Sequence, residues 1–108
     1  MQDDDIHDLF AGLGPVTIKR MFGGKGIYHQ SQIIALEVDG EVLLKADAQS
    51  AADFESAGSR QWHYVGKQAG RPVAMPYWTI PDEAIDDPDT FSLWARKAYE
   101  ASLRARKK

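Results

Sequence analysis

Apolar residues fall at Ile6, Leu9, Phe10 and Leu13, the i, i+3, i+4, i+7 spacing of one helical stripe, and predict a helix over residues 3–13. Asp3, Asp4 and Asp5 suit the positive end of that helix, and Gly14-Pro15 stops it. From Val16 the period changes to two. Val16, Ile18 and Phe22 share one parity of a strand running from Val16 to Phe22, and Phe22 is expected to fill core beneath the first helix. Arg20 shares that parity and belongs either at the rim of the sheet or against a carboxylate; Arg20 and Met21 read as chiefly structural. Gly23-Gly24-Lys25-Gly26 is a turn signal, Ile27–His29 resumes extended structure, and Gln30-Ser31-Gln32 is a bend or bulge.

Residues 33–44 predict a hairpin around Asp39-Gly40. A two-residue loop would put Ile34, Leu36 and Val38 on one face with Glu41 and Lys45. A three-residue loop, Val38-Asp39-Gly40, pairs Leu36 with Val42 and Ile34 with Leu44 and collects the apolar set on one face, so the longer loop is preferred. It sets Glu37 opposite Glu41. Asp47 caps a short helix through Ala57 that turns Phe54 inward and stops at Gly58. Gln61–Val65 and Val73–Ile80 predict a second hairpin across the polar stretch Gly66–Pro72. Pro76 cannot donate to a ladder and marks an edge strand or a bulge. Pro81-Asp82-Glu83 starts a single helical turn. Asp87-Pro88 opens the last helix, on which Phe91, Trp94, Ala95, Ala98 and Ser102 keep helical spacing.

These elements predict one α+β domain over residues 1–108. It has two layers, with a mainly antiparallel five-stranded sheet and helices on one face, in the order α-β-β-β-α-β-β-α. Composition agrees with a globular domain, since 44% of the 108 residues are hydrophobic and 27% charged. The absence of cysteine excludes disulfides, thiolate metal sites and cysteine nucleophiles. Thirteen Lys+Arg against 16 Asp+Glu leave a net charge of −3, which is not the balance of a uniformly basic nucleic-acid binder. With no apolar run near the ~20 residues that span a bilayer, and an acidic N-terminus, the chain is expected to be soluble and cytoplasmic, with no membrane partner.

Few residues carry an obvious chemistry. His7, His29 and His63 lie on three different elements without metal-ligand spacing, so no metal is expected. The glycine cluster precedes strand-like residues rather than opening a helix, which favours a turn over a phosphate-binding loop, although Lys19, Arg20 and Lys25 surround it. No serine sits in a Gly-x-Ser-x-Gly setting, and Asp82-Glu83 and Asp86-Asp87 are better helix caps than acid–base pairs. Arg96-Lys97 and Arg104–Lys108 read as a solvated helix end. Any nucleic-acid contact there would be salt-sensitive and sequence-blind, so no sequence-specific nucleic-acid binding is expected. Trp62, Tyr64, Tyr77 and Trp78 cluster on the last two strands. Alternation cannot bury all four in one core, so the remainder marks a surface for a homodimer or a protein partner, reached through the sheet face or helices because Pro76 opposes edge-to-edge strand addition.

In order along the chain, Leu13-Gly14-Pro15-Val16, Lys19 to Gly24 (Lys-Arg-Met-Phe-Gly-Gly) with Gly26-Ile27-Tyr28, Leu44-Lys45-Ala46-Asp47, Phe54 to Ser59, Met75-Pro76-Tyr77 and Trp94-Ala95-Arg96 resemble the N-terminal domain of the TfoX/Sxy family of competence regulators. The resemblance covers nearly the whole chain. It implies a two-layer α+β fold, no known catalytic activity and no cofactor. Competence-promoting members are similar to this domain followed by a helical C-terminal domain, whereas this sequence stops at Lys108. The expected role is that of a non-enzymatic regulatory and protein-interaction domain. Its candidate residues are Arg20, Met21, Phe22, Gly23, Gly24, Lys45, Met75, Pro76, Tyr77 and Trp78. The alternative is a small-ligand or anion-binding domain, or a cryptic enzyme, using Arg20, Lys25, Lys45 and Tyr77.

Overall fold

The computed structural model describes residues 1–21, 23–65 and 70–106. Helix α1 (Asp3–Leu9) leads into β1 (Thr17–Met21), β2 (Gly24–His29), β3 (Gln32–Val38) and β4 (Glu41–Lys45). Helix α2 (Ala48–Ser56) follows, then β5 (Gln61–Tyr64), β6 (Val73–Thr79), the short α3 (Asp82–Ile85) and the long α4 (Pro88–Arg106). The strands form one antiparallel sheet in the order β1-β2-β3-β4-β6-β5. The expected two-layer α+β class is therefore observed, with six strands rather than five. No helix among the described residues is long and apolar enough to cross a membrane.

The helices gather on one face because each supplies an apolar stripe to the same cluster. Ile6 and Phe10 come from the α1 region, Phe54 from α2, Ala84 from α3, and Phe91, Trp94, Ala95 and Ala98 from α4. They close over Ile27, Ile34, Ala35, Val42 and Leu44 of the sheet. Local signals set the helix ends. Asp47 caps α2 by accepting from the Ser50 N–H at 3.0 Å, and Asp87 accepts from the Asp89 and Thr90 N–H groups at the start of α4. Helix α1 ends at Leu9, earlier than expected. Its last turn tightens to i→i−3 bonds, Ala11 N–H to Asp8 and Leu13 N–H to Phe10, which still bring Leu9 and Leu13 against the core.

The β3–β4 register corrects the sequence reading. Val38 pairs with Glu41 and Leu36 with Leu43, so the loop is the two-residue Asp39-Gly40, with φ of 53° and 84°. The longer loop follows only if one face of this hairpin alone is apolar. In fact Val42, Leu43 and Leu44 are all buried, so both faces are covered in the middle of the sheet. One extra residue on β3 completes the arrangement. Ile27 pairs with Ala35 and Tyr28 with Ile33, and the bulge lets Ile34 and Ala35 both reach the helix side. Glu37 does not face Glu41. It pairs with Val42, and its buried carboxylate accepts from the Gly40 N–H at 2.8 Å.

Of two other expected turns, one at Gln30-Ser31 is observed and one at residues 24–26 is not. Gln30 and Ser31, both with positive φ, make a tight connection between His29 and Gln32, while the bulge lies further along at Ile27/Tyr28. Gly24 and Gly26 belong to β2 rather than to a turn, and β2 needs them. A side chain at Gly24 would collide with the Glu37 carbonyl oxygen, and one at Gly26 would meet Met21 and Tyr28. Phe22, assigned to the core from its parity, lies outside the described residues, as does 66–69 of the β5–β6 connection. Pro76 sits on an inner strand, where its carbonyl accepts from the Ala46 N–H at 3.0 Å, and the β5–β6 register shifts beside it. Of the two places open to it, an edge or a bulge, it takes the bulge, and it leaves the free edges on β1 and β5 untouched.

Candidate functional site

Strand alternation leaves a second sheet face on which no helix among the described residues packs. Paired positions place Lys19, Met21, Tyr28, Leu36, Val38, Leu43, Lys45 and Tyr77 there. A groove of about 480 Å³ runs over this face. Met21, Ile33, Leu36 and Val38 line it from one side, and Trp62, Tyr64, Met75 and Tyr77 from the other, so the sheet curls to bring β5 and β6 opposite β1–β3. The Trp62 and Tyr64 rings pack on one another with centroids 5.8 Å apart. Tyr64 and Val65, which line the groove, and Val73, paired with Tyr64, are 44%, 60% and 51% exposed and form an apolar rim on the β5–β6 ribbon.

Two lysine–tyrosine pairs flank the groove. The Lys19 ammonium lies over the Tyr28 ring at 4.9 Å and the Lys45 ammonium over the Tyr77 ring at 5.8 Å. Met21, which lines the groove, and the Tyr28 ring both border Gly26 on this face. Partial burial lowers the Lys45 pKa. Burial pushes the Tyr77 hydroxyl up to about 12, with a smaller contribution from the Tyr28 hydroxyl. Tyr77 therefore stays neutral when exposed tyrosines ionise near ~10. Its protection favours the folded state below pH ~10 and is lost as pH rises toward 12. In an absorbance titration at 295 nm the last tyrosinate signal should belong to Tyr77 and vanish in Tyr77→Phe. If that variant keeps every phase, the hydroxyl is not buried.

The structure divides the sequence-selected residues between the two faces. Met21, Lys45, Met75 and Tyr77 meet on the open face, whereas Trp78 points to the helix layer, its ring centroid 6.3 Å from that of Phe54. Arg20 is exposed and pairs across the strands with Lys25, on the helix side. Of its two expected places it takes the rim. The Lys25 ammonium is held by Asp3 at 2.7 Å and by the Met1 carbonyl at 2.8 Å. Lys25 and Tyr77 both line the groove, but Arg20 and Lys45 do not, so the four do not converge in one cleft. Around Gly23 and Gly24, Arg20 and Lys25 share a shallow hollow with Glu37, which mixes both charges.

The other candidates are absorbed by the fold. His29 is buried and donates Nδ1–H to the Pro15 carbonyl at 2.8 Å, His63 is exposed with Nδ1 3.1 Å from the Gln61 carbonyl, and His7 lies on α1. Among the described residues no three His, Asp or Glu side chains gather as a metal site. In the basic C-terminal region, Lys97 binds Asp53 at 3.0 Å and Arg104 grips Asp47 at 2.6 and 3.0 Å. Sequence reasoning missed Lys19, Tyr28, Leu36 and Val38 as parts of the open face. The signal was the mixed apolar and lysine set that a two-residue Asp39-Gly40 loop creates.

The sequence model of one family, the TfoX N-terminal domain, matches residues 8–102. No curated protein matches the chain.

Proposed function

The chain belongs to the TfoX N-terminal domain family, and from that premise we propose that it is a regulatory protein-interaction domain, without catalysis of its own, that docks a second polypeptide on its open sheet face. The observation that carries this reading is the groove with its exposed rim at Tyr64, Val65 and Val73, on the side of the sheet away from the helices of the described residues. Methionines and aromatics are the side chains with which interfaces adapt to and anchor a partner. The role is regulatory, as resemblance to competence regulators implies, and it works through protein contact rather than by reading bases. The basic groups Lys97 and Arg104 of α4 are engaged by Asp53 and Asp47.

The test compares the intact chain with Tyr64→Asp, a substitution at an exposed position, as bait in bacterial lysate. Polypeptides retained by the first and lost with the second, at unchanged circular dichroism, are the expected result. Identical capture by both baits would sink the reading. A small ligand in the same groove is the second reading, favoured by a volume within the usual ~300–1,000 Å³ of ligand sites. A stoichiometric non-peptide adduct in native mass spectra of the purified chain would select it.

A further inference from the structure

Among the described residues three cations are paired with carboxylates, while others, Arg20 on the helix side included, are not. On the helix side and at the C-terminal end, Lys25, Lys97 and Arg104 each have a carboxylate within 3.0 Å. Among the described residues, Lys19 and Lys45 have none within 4 Å, although the chain as a whole carries more acids than bases. Both ammonium groups rest instead on tyrosine rings beside the groove. Lys45 is half-buried, and a half-buried ammonium without a counter-ion is an unfavourable arrangement that an arriving carboxylate relieves; Lys19 is exposed and adds a second positive charge on the same face. Among the described groove-lining residues the one carboxylate is Asp39, at the β3–β4 turn, the opposite end of that hairpin from Lys45.

Resting on the docking reading above, we propose that the open face recognises an acidic polypeptide segment with apolar anchors. Its leucine or aromatic side chains enter the groove between Met21, Leu36 and Met75, and its carboxylates meet Lys19 and Lys45. Asp39 sets the direction, because an acidic end placed there would be repelled. A peptide fits better than single-stranded RNA. One wall, Met21, Ile33, Leu36 and Val38, is flexible methionine and branched aliphatic and suits leucine-type anchors; the other carries the rings of Trp62, Tyr64 and Tyr77, of which Tyr77, the ring nearest Lys45, is too buried for a base to stack on it. The exposed Val73, paired with Tyr64 of the groove wall, carries the apolar surface past the groove.

The experiment is fluorescence anisotropy of the intact chain with three labelled probes. One is a twelve-residue peptide alternating glutamate with leucine and containing one tryptophan, the second is the same peptide with lysine for glutamate, and the third is oligouridine. The acidic peptide should bind at least tenfold tighter than the basic one, and its affinity should fall as salt rises. Lys19→Glu should weaken it about tenfold. Lys45→Met, which keeps the buried stem and removes the charge, should do likewise at an unchanged melting temperature. Equal binding of both peptides, indifference to both substitutions, no binding at all, or preference for oligouridine would each overturn the proposal. If it fails while Tyr64→Asp still abolishes capture, acidic recognition falls and docking stands. If capture is also indifferent to Tyr64→Asp, docking itself falls.

Discussion

Phe54→Ala should cost about 3–5 kcal/mol of folding stability, the range for truncating a fully buried phenylalanine. Phe54 has no exposed surface, and its ring packs between Trp78 of the sheet, centroids 6.3 Å apart, and Trp94 of α4, at 4.8 Å. Alanine there removes the contact by which α2 is joined to both layers, and two indole rings cannot collapse into the space without leaving their own rotamers. A domain of this size has only about 5–15 kcal/mol in total, so the melting temperature should drop by roughly 15 °C or more. Tryptophan emission should shift to the red as Trp78 and Trp94 meet water. Phe54→Leu, which keeps most of the volume, should recover most of the loss. A melting temperature within a degree or two of the parent would mean that α2 does not pack on the sheet.

Asp47→Ala should have the next largest effect, about 2 kcal/mol or somewhat more. Capping substitutions alone cost about 0.5–2 kcal/mol, and this one also strips Arg104 of its partner. Asp47 joins three roles in one carboxylate. It caps α2 through the Ser50 N–H, accepts the Ser50 hydroxyl, and binds Arg104 Nε and Nη2 from the far end of α4. The Arg104 guanidinium, with smaller help from Ser50, holds its pKa far below the ordinary carboxylate value. A group whose folded pKa is depressed stabilises the fold above its unfolded pKa near ~3.9 and loses that stabilisation as pH falls through the folded value. Denaturant melts of the parent and Asp47→Ala should therefore differ most above pH ~5 and converge in acid. A difference that stays constant down to strong acid would show that Asp47 acts by shape and not by charge.

The helices were legible because their signals are local. Asp47, Gly58 and Asp87-Pro88 set helix ends within a few residues of themselves, and the spacing of Phe91, Trp94, Ala95 and Ala98 names the buried side of α4 without reference to any partner. Strand faces were harder to read. Arg20 broke the apolar parity of β1 for the first of the two reasons open to it, a place at the rim. The aromatic cluster was correctly split between two environments, but which ring went where was not readable. Trp78 entered the core, Tyr77 was buried on the opposite face, and Tyr64 remained in solvent.

Sequence by itself determined the α+β class, the capped helices, the family and the presence of aromatics in excess of one core. Tertiary structure alone decided which face of the sheet carries the candidate site. The Asp39-Gly40 loop is one residue shorter than apolar segregation suggests, and Ile34 is inserted as a bulge. Each of these changes the count by one, and because side chains alternate with a period of two, a change of one exchanges the faces. The same logic hid the meeting of Lys19 with Tyr28 and of Lys45 with Tyr77. The second pair is separated by thirty-two positions and joined only when β6 returns to lie beside β4, an event set by packing of the whole sheet and written in no local stretch of the chain.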